Sequence, residues 1–505
     1  MAAVYPTYKL RVDWDGTGNF AQTGAEVMGR VQALQYWSGR DLPSSELGEA
    51  VAGGLTVFLN NNSADYSSYN TESPLAGNVG PDKAVRLTMS GRAAWFVPGN
   101  SEYFTAGDIL DLTTTDFSIG FWVYQDVVGQ YGVVNKRDRA SATNLGYAVE
   151  TQSDGTIDLL LSDGTSVTTV SSTTTMSAST WYFCVVTADR DGNGQWYINA
   201  GSAEGATDIT SQASTITNAI AFQVGAGFST SANRFFSGRI QSIGIWTKLL
   251  SSTERTFMYK HGDGVQHKDI GLTGNGSTLT TNLLEWFDLQ EESGNRTGQE
   301  SSSTLTDTNS VLDAEGIPNF TVWQGFSSNV TPMPSQSGHN VARLDCIGPL
   351  GQVNKNKIRL ATVTDERTGA AHDWILTEAG WPTADRTTDT GKTTMSRFGL
   401  ENEVLVLGAL RRVSRTEAGY TGESKDGRIV LEDRRHRQSG THLVSQATFS
   451  DASGAALVYT GIRQLDSKNQ VFHIFSPPVQ TYTVGSLAVL WTLSSSGASS
   501  PLLQP

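Results

Sequence analysis

Asp116-Phe117-Ser118-Ile119-Gly120-Phe121-Trp122-Val123-Tyr124 decides how this chain is read. Phe117, Ile119, Phe121 and Val123 fall on one face of an extended segment, and Ser118, Gly120, Trp122 and Tyr124 on the other. That is the period-2 pattern of a β-strand. Outward from it the same texture repeats in Gly132-Val133-Val134-Asn135-Lys136, Tyr147-Ala148-Val149, Trp181-Tyr182-Phe183-Cys184-Val185-Val186, Gly194-Gln195-Trp196-Tyr197-Ile198-Asn199 and Gly238-Arg239-Ile240-Gln241-Ser242-Ile243-Gly244-Ile245-Trp246. Asp154-Gly155, Asp163-Gly164 and Asp191-Gly192 punctuate the runs, with Gly supplying the positive φ of a hairpin turn. Trp122, Trp181, Trp196 and Trp246 each sit inside a strand run and read as core. Ser251-Ser252-Thr253-Glu254 is a capping box that predicts a short helix ending by Gly262 or Gly264.

Residues 104–292, which carry these runs, resemble a laminin-G/concanavalin A-like lectin sandwich, an antiparallel jelly roll. Leu283-Leu284-Glu285-Trp286-Phe287-Asp288-Leu289 and the polar loop after it read as part of the same domain, whose bounds are set at residues 86–317. The resemblance implies a module that usually binds, so its host chain decides what the binding is for.

The 505 residues suffice for two to four domains. Gly, Ser and Thr abound and long amphipathic runs are scarce, so a mostly β protein with short helices is expected. A net charge of −14 argues against broad binding to nucleic acid or anionic membranes. The two cysteines, Cys184 and Cys346, match no metal spacing and make no disulfide framework. No run approaches the roughly 18 apolar residues of a membrane span. Met1-Ala2-Ala3-Val4-Tyr5-Pro6 lacks a charged head and apolar run, so synthesis in the cytoplasm without a signal peptide is expected.

Residues 1–85 alternate strand-like runs and turns, with a stretch from Asn60 to Pro74 too polar for a core strand; the segment is short and wants a partner. Beyond Pro318 the character changes. Ala371, Trp374, Ile375 and Ala379 share one predicted helical stripe, and Leu407, Leu410 and Val413 another within a helix over residues 403–414. Asp426-Gly427 joins two strand-like runs, and Ala488-Val489-Leu490-Trp491-Thr492-Leu493 alternates again before a Ser-rich end.

Four places in these flanks resemble the minor tail proteins of long-tailed bacteriophages. They are Val12-Asp13-Trp14-Asp15-Gly16-Thr17-Gly18-Asn19-Phe20; the stretch from Leu55 through Tyr66-Ser67 to Ser73-Pro74-Leu75; Trp374-Ile375-Leu376 through Gly380-Trp381-Pro382 to Arg386 and Asp389-Thr390-Gly391; and Thr416-Glu417-Ala418-Gly419-Tyr420 with the run Asp426 to Arg434. The resemblance implies a virion component of the tail tip or baseplate hub, built from tail-tube-like β domains at 1–85 and 318–505 that flank the inserted sandwich. It also implies contacts with other tail proteins and a homo-oligomeric ring, a trimer first and a hexamer second, presenting the sandwich to a host surface glycan or receptor.

Each chemical reading has a plainer rival. A laminarinase-like glycosidase needs carboxylates spaced along one strand face; Glu285 and Asp288 are three apart and point to opposite faces of a strand. A non-enzyme is therefore expected over a polysaccharide-degrading tail enzyme, with a purely architectural ring as the other rival. For sugar contact, Tyr131, Lys136, Arg137 and Asn144, with Arg234 and Phe235, offer polar groups beside aromatic faces. No cofactor is expected beyond weak calcium. Asp189, Asp191 and Asn193 copy the first half of an EF-hand loop, and Asp13-x-Asp15-x-Thr17-Gly18 does so less fully, but the twelfth positions are Ala200 and Gly24 rather than Glu. Hairpin turns are the plainer reading. The basic run Arg434-Arg435-His436-Arg437, joined by Arg411, Arg412 and Arg415, suits a subunit contact with acidic neighbours better than nucleic acid.

Overall fold

A computed structural model describes residues 6–18, 20, 22–41, 49–271, 276, 278–334 and 339–438, with the strand segments 449–450, 457–458, 479–483 and 486–490. The chain divides into two compact units, residues 1–41 with 49–436, and residues 42–48 with 437–505.

The alternating runs of the first unit build two stacked sheets. One has the strand order Thr168–Ser171, Ile157–Ser162, Gly146–Thr151, Tyr131–Arg137, Gln223–Val224, Tyr103–Thr105, Thr304–Thr308 and Arg296–Thr297. The other runs Glu204–Asp208, Asn193–Ile198, Trp181–Ala188, Phe117–Gln125, Gly238–Trp246, Arg92–Phe96 and Leu312–Glu315, with Leu283–Phe287 also paired to Gly238–Trp246. Phe117, Ile119, Phe121 and Val123 meet Tyr147, Val149 and Leu159 between the sheets in one buried core. The opposite face of Phe117–Gln125 is covered as well. Trp122 packs there with Phe183, Trp246, Trp286 and Met258, under the helix Ser252–Tyr259, whose Tyr259 ring stacks on Trp122 at 5.9 Å. The capping box at Ser251 and Glu254 forms as its residues require. Trp196 and Trp246 are fully buried and Trp122 nearly so; Trp181 is half-buried.

The segment that wanted a partner finds it across the sandwich. Tyr8–Val12, Ala84–Met89, Phe320–Met333, Val341–Ile347, Glu49–Asn60 and Val31–Asp41, in that order, form one six-stranded sheet. Phe320–Met333 pairs with Ala84–Met89, and Val341–Ile347 with Glu49–Asn60, so residues either side of the sandwich share a core of Trp14, Val57, Leu59, Val85, Trp323 and Leu344. The chain leaves this sheet and returns at one point: Gly91 N donates to the Ile317 carbonyl and Gly316 N to the Gly91 carbonyl, both at 2.8 Å. The polar stretch from Asn60 is a hydrogen-bonded loop. Asn61 bonds Ser67 Oγ and the Tyr66 amide, each at 3.0 Å, which seats the Tyr66 ring 5.9 Å from Trp14.

Residues 349–433 form an α+β lobe around the helices Pro349–Val353, Thr368–Glu378 and Val406–Glu417. Two helix expectations need correction. Thr368–Glu378 buries Ala371, His372, Ile375 and Leu376, while Trp374 stands 37% exposed. At 100° per residue Trp374 turns away from the buried arc, which is centred between Ile375 and His372. The other helix begins at Val406, because residues up to Leu405 extend as the strand Phe398–Leu405 paired with Lys357–Val363. Asp426-Gly427 does join antiparallel strands, Tyr420–Glu423 and Ile429–Glu432. The region 318–505 is not one body: its first two strands complete the six-stranded sheet, and residues from 437 belong to the second unit. In that unit Val479–Thr483 pairs antiparallel with Ser486–Leu490; Trp491 to Leu493 and the Ser-rich end lie outside the described residues.

Candidate functional site

The strand Tyr131–Arg137 carries three of the residues expected to meet a sugar. Two of them are structural. Lys136 is fully buried, with its ammonium 2.5 Å from Asp108 Oδ1 and 3.4 Å from Asp111 Oδ1, and it donates to the carbonyls of Asn218 and Ile220. Arg137 is also buried; its guanidinium donates to the carbonyls of Asn144 and Ser141 at 2.9 and 2.7 Å. Asn144, half-buried, thus takes part through its backbone. Neither cation is free for a surface ligand, because withdrawing it would strand the carbonyls and carboxylates that it satisfies.

Of the other three, Arg234 lies against Glu150. Arg234 Nη1 lies 2.5 Å from Glu150 Oε2, and Arg139 pairs with the same buried carboxylate. Tyr131 is half-buried and packs edge-on to Phe236. Phe235 lies 6.0 Å from Tyr103. Glu150 and Arg139 were not singled out in the sequence; strand pairing sets Glu150 opposite Gly132, whose amide donates to the Arg234 carbonyl at 2.8 Å.

The acidic hairpin acquires a partner that its spacing does not reveal. Phe117 lies opposite Ala188, so Asp116 falls beside Asp189, and carboxylate oxygens of Asp116, Asp189 and Asp191 come within 4.8 Å of one another. A hydrogen bond with Asp191, then burial, raises the Asp189 carboxyl above its ordinary range. Calcium takes about six to eight oxygens, of which these side chains offer three. Asn193, exposed, opens the return strand opposite Asp208, and its carbonyl accepts from the Asp189 amide at 3.2 Å. The other EF-hand-like stretch closes on itself, Asp13 accepting from the Gly18 amide at 2.8 Å and Asp15 from Thr17.

Glu285, the nearest approach to a glycosidase carboxylate, is buried and accepts hydrogen bonds from the amides of Trp286, Glu300 and Ser301 and the hydroxyls of Ser301 and Ser303. Burial opposes its charge, but these donors outweigh it and hold the carboxyl below the ordinary glutamate range. Asp288 accepts from the Trp286 indole at 2.7 Å and from the His267 amide.

The recognisable stretches after the sandwich knot the α+β lobe together. Arg386 holds the end of Thr368–Glu378 through the Asp373 and Trp381 carbonyls. Asp389 accepts from the Asp433 amide and His436 Nδ1. Glu417, wholly buried, accepts from Thr368 Oγ1 and the amides of Lys392 and Thr393. Of the basic residues, Arg412, Arg434 and Arg435 are exposed and Arg411 is half-buried; Arg434 lies 3.8 Å from Glu417, on the helix that carries Arg411, Arg412 and Arg415. The Arg437 side chain, and Asn19 in the first motif, lie outside the described residues.

Sandwich and six-stranded sheet are locked by one acid. Asp263, in the loop after Ser252–Tyr259, is buried and lies 2.8 Å from Arg11 and 2.7 Å from Arg86, both on strands of the sheet. Arg11 also donates to the His261 carbonyl at 2.6 Å.

Residues 98–254 match the model of the Concanavalin A-like lectin/glucanases superfamily. The sandwich is therefore a concanavalin A-like sandwich domain, set in a mostly β chain. Among solved structures the chain is similar to a Bacteroides ovatus protein provisionally described as carbohydrate binding, at 13% identity and a TM-score of 0.34 over 49% of this chain and 74% of that one. It is similar to the heptameric SAP-like pentraxin of Limulus polyphemus at 14% and 0.30, over 45% and 95%. A 43 kDa tail protein of prophage MuSo2 from Shewanella oneidensis follows at 13% and 0.19, over 24% and 37%. No curated protein matches the sequence significantly. Among the described residues no helix is long and apolar enough to cross a membrane.

Proposed function

We propose that the chain is a structural component of a phage tail tip or baseplate hub, resident in the virion tail, and that its lectin domain adheres to a glycan or receptor on the host surface. The observation that carries this reading is the insertion. The sandwich enters and leaves a separate six-stranded sheet at Gly91 and Gly316, and Asp263 fixes it there. Such a guest is held in a set direction by a platform with its own core. The phage-like stretches supply hydrogen bonds beside that sheet through Asn61 and within the α+β lobe through Asp389 and Glu417. Copies arranged in a ring, a trimer by preference, with other tail proteins as neighbours, would add weak sites into useful avidity.

Binding rather than hydrolysis is the proposed chemistry. Glu285 is held by five hydrogen bonds, and Asp288 is engaged by Trp286 and His267. The test is excision of residues 92–315 from tails that still assemble. Loss of adsorption to host cells is expected, and undiminished adsorption would sink the adhesive role. Incubation of the intact chain with host polysaccharide is expected to release no new reducing ends.

A further inference from the structure

A cleft of about 430 Å³ lies where three parts of the first unit meet: the segment after the sandwich's helix, the six-stranded sheet and the α+β lobe. It is far more cationic than the acidic chain around it. Arg86, Lys260, Lys268, Lys425 and Arg428 line it, against the carboxylates of Asp269, Asp385 and Asp426. Part of this charge is already answered: Arg86 pairs with Asp263 at 2.7 Å and Arg428 with Asp426 at 3.2 Å. Among the described residues Lys268 and Lys425 form no ion pair, although the charges of Asp269 and Asp426 reach Lys425. Both are exposed, and both approach the Phe320 ring, at 5.8 and 6.0 Å.

Burial and then the neighbouring Lys268 charge lower the Lys425 ammonium from its ordinary range; burial and then Arg86 do the same to Lys260. An anion between these groups would relieve the repulsion. Asn319 also lines the cleft. It is 97% buried, being 3% exposed, and neither its amide nitrogen nor its amide oxygen has a hydrogen-bond partner. A buried amide left so is costly unless a ligand completes it.

We infer that this cleft binds a small hydroxylated carboxylate of the uronic-acid kind. The lysines receive the carboxylate, Asn319 exchanges hydrogen bonds with hydroxyls, and Phe320 offers an apolar face to the ring carbons. The volume is that of a small-molecule site, which runs from roughly 300 to 1,000 Å³. The inference is independent of adhesion, since the cleft lies outside the sandwich sheets and would bind its ligand whether or not the chain meets a cell.

Isothermal titration of the full chain at low ionic strength with D-glucuronate, D-glucose and inorganic sulfate tests it. Saturable binding of glucuronate is expected, with no saturation by glucose and weaker binding of sulfate. The double variant Lys268→Gln/Lys425→Gln removes only exposed groups, so it keeps its fold, and should bind glucuronate at least about tenfold more weakly, or 1.4 kcal/mol. Asn319→Ala should weaken glucuronate and leave sulfate unchanged. No saturation by glucuronate, equal affinity in the double variant, or sulfate bound as tightly as glucuronate would each overturn the assignment.

Discussion

Asp263 shows how much one residue can hold. It is buried between Arg11 and Arg86, which are themselves nearly buried. Removing one partner of such a group leaves charge that water cannot reach, at a cost of about 3–5 kcal/mol. Asp263→Asn should therefore lower the denaturant midpoint sharply with little change in the slope. Glu417 shows the same logic with a pH signature. Burial opposes its charge, but the donors Thr368, Thr393 and Lys392 outweigh it and hold the carboxyl below the ordinary 4.5. A depressed folded pKa gives stabilisation that is complete above the unfolded value and lost as pH falls through the folded one. Urea midpoints followed from neutral pH to about pH 3 should fall through that window, and Glu417→Gln should flatten this part of the profile while costing about 1–3 kcal/mol at neutral pH. Lys136 and Arg137 teach the converse. Their charge suggested a ligand surface, yet both are buried: Lys136 on carbonyls that the sequence does not place near it, and Arg137 on those of the loop that follows it.

At the scale of elements, alternation located the strands but left their coverings open. Phe117–Gln125 has a core face and a second buried face, because Ser252–Tyr259 lies over it. The capping box was legible because its partners are three residues apart. Ser251→Ala should cost about 1 kcal/mol, read in chemical denaturation, with the loss confined to the sandwich. The helix stripes were less secure. Trp374 satisfied a loose apolar pattern, but the packed arc centres elsewhere. The acidic hairpin shows the limit of spacing: Asp189 and Asp191 are neighbours in sequence, whereas Asp116 joins them only through the register of Phe117 with Ala188.

For the whole molecule the insertion makes a prediction of its own. Since Gly91 and Gly316 are hydrogen-bonded neighbours, residues 92–315 can be excised and the ends rejoined by a short turn. The excised chain should remain folded, with the strand content of the six-stranded sheet in circular dichroism. It should also escape the penalty of Asp263→Asn, because removing the sandwich returns Arg11 and Arg86 to water. An excised chain that unfolds would mean that the sheet depends on its guest. The sequence by itself determined the β character, the strand runs, the hairpin turns and the helix cap, all properties of residues a few positions apart. Only the tertiary structure decided that segments either side of the sandwich share one sheet, which cations are buried, and where a cationic cleft opens. Those depend on strand register and on contacts between residues hundreds of positions apart, which local spacing does not encode.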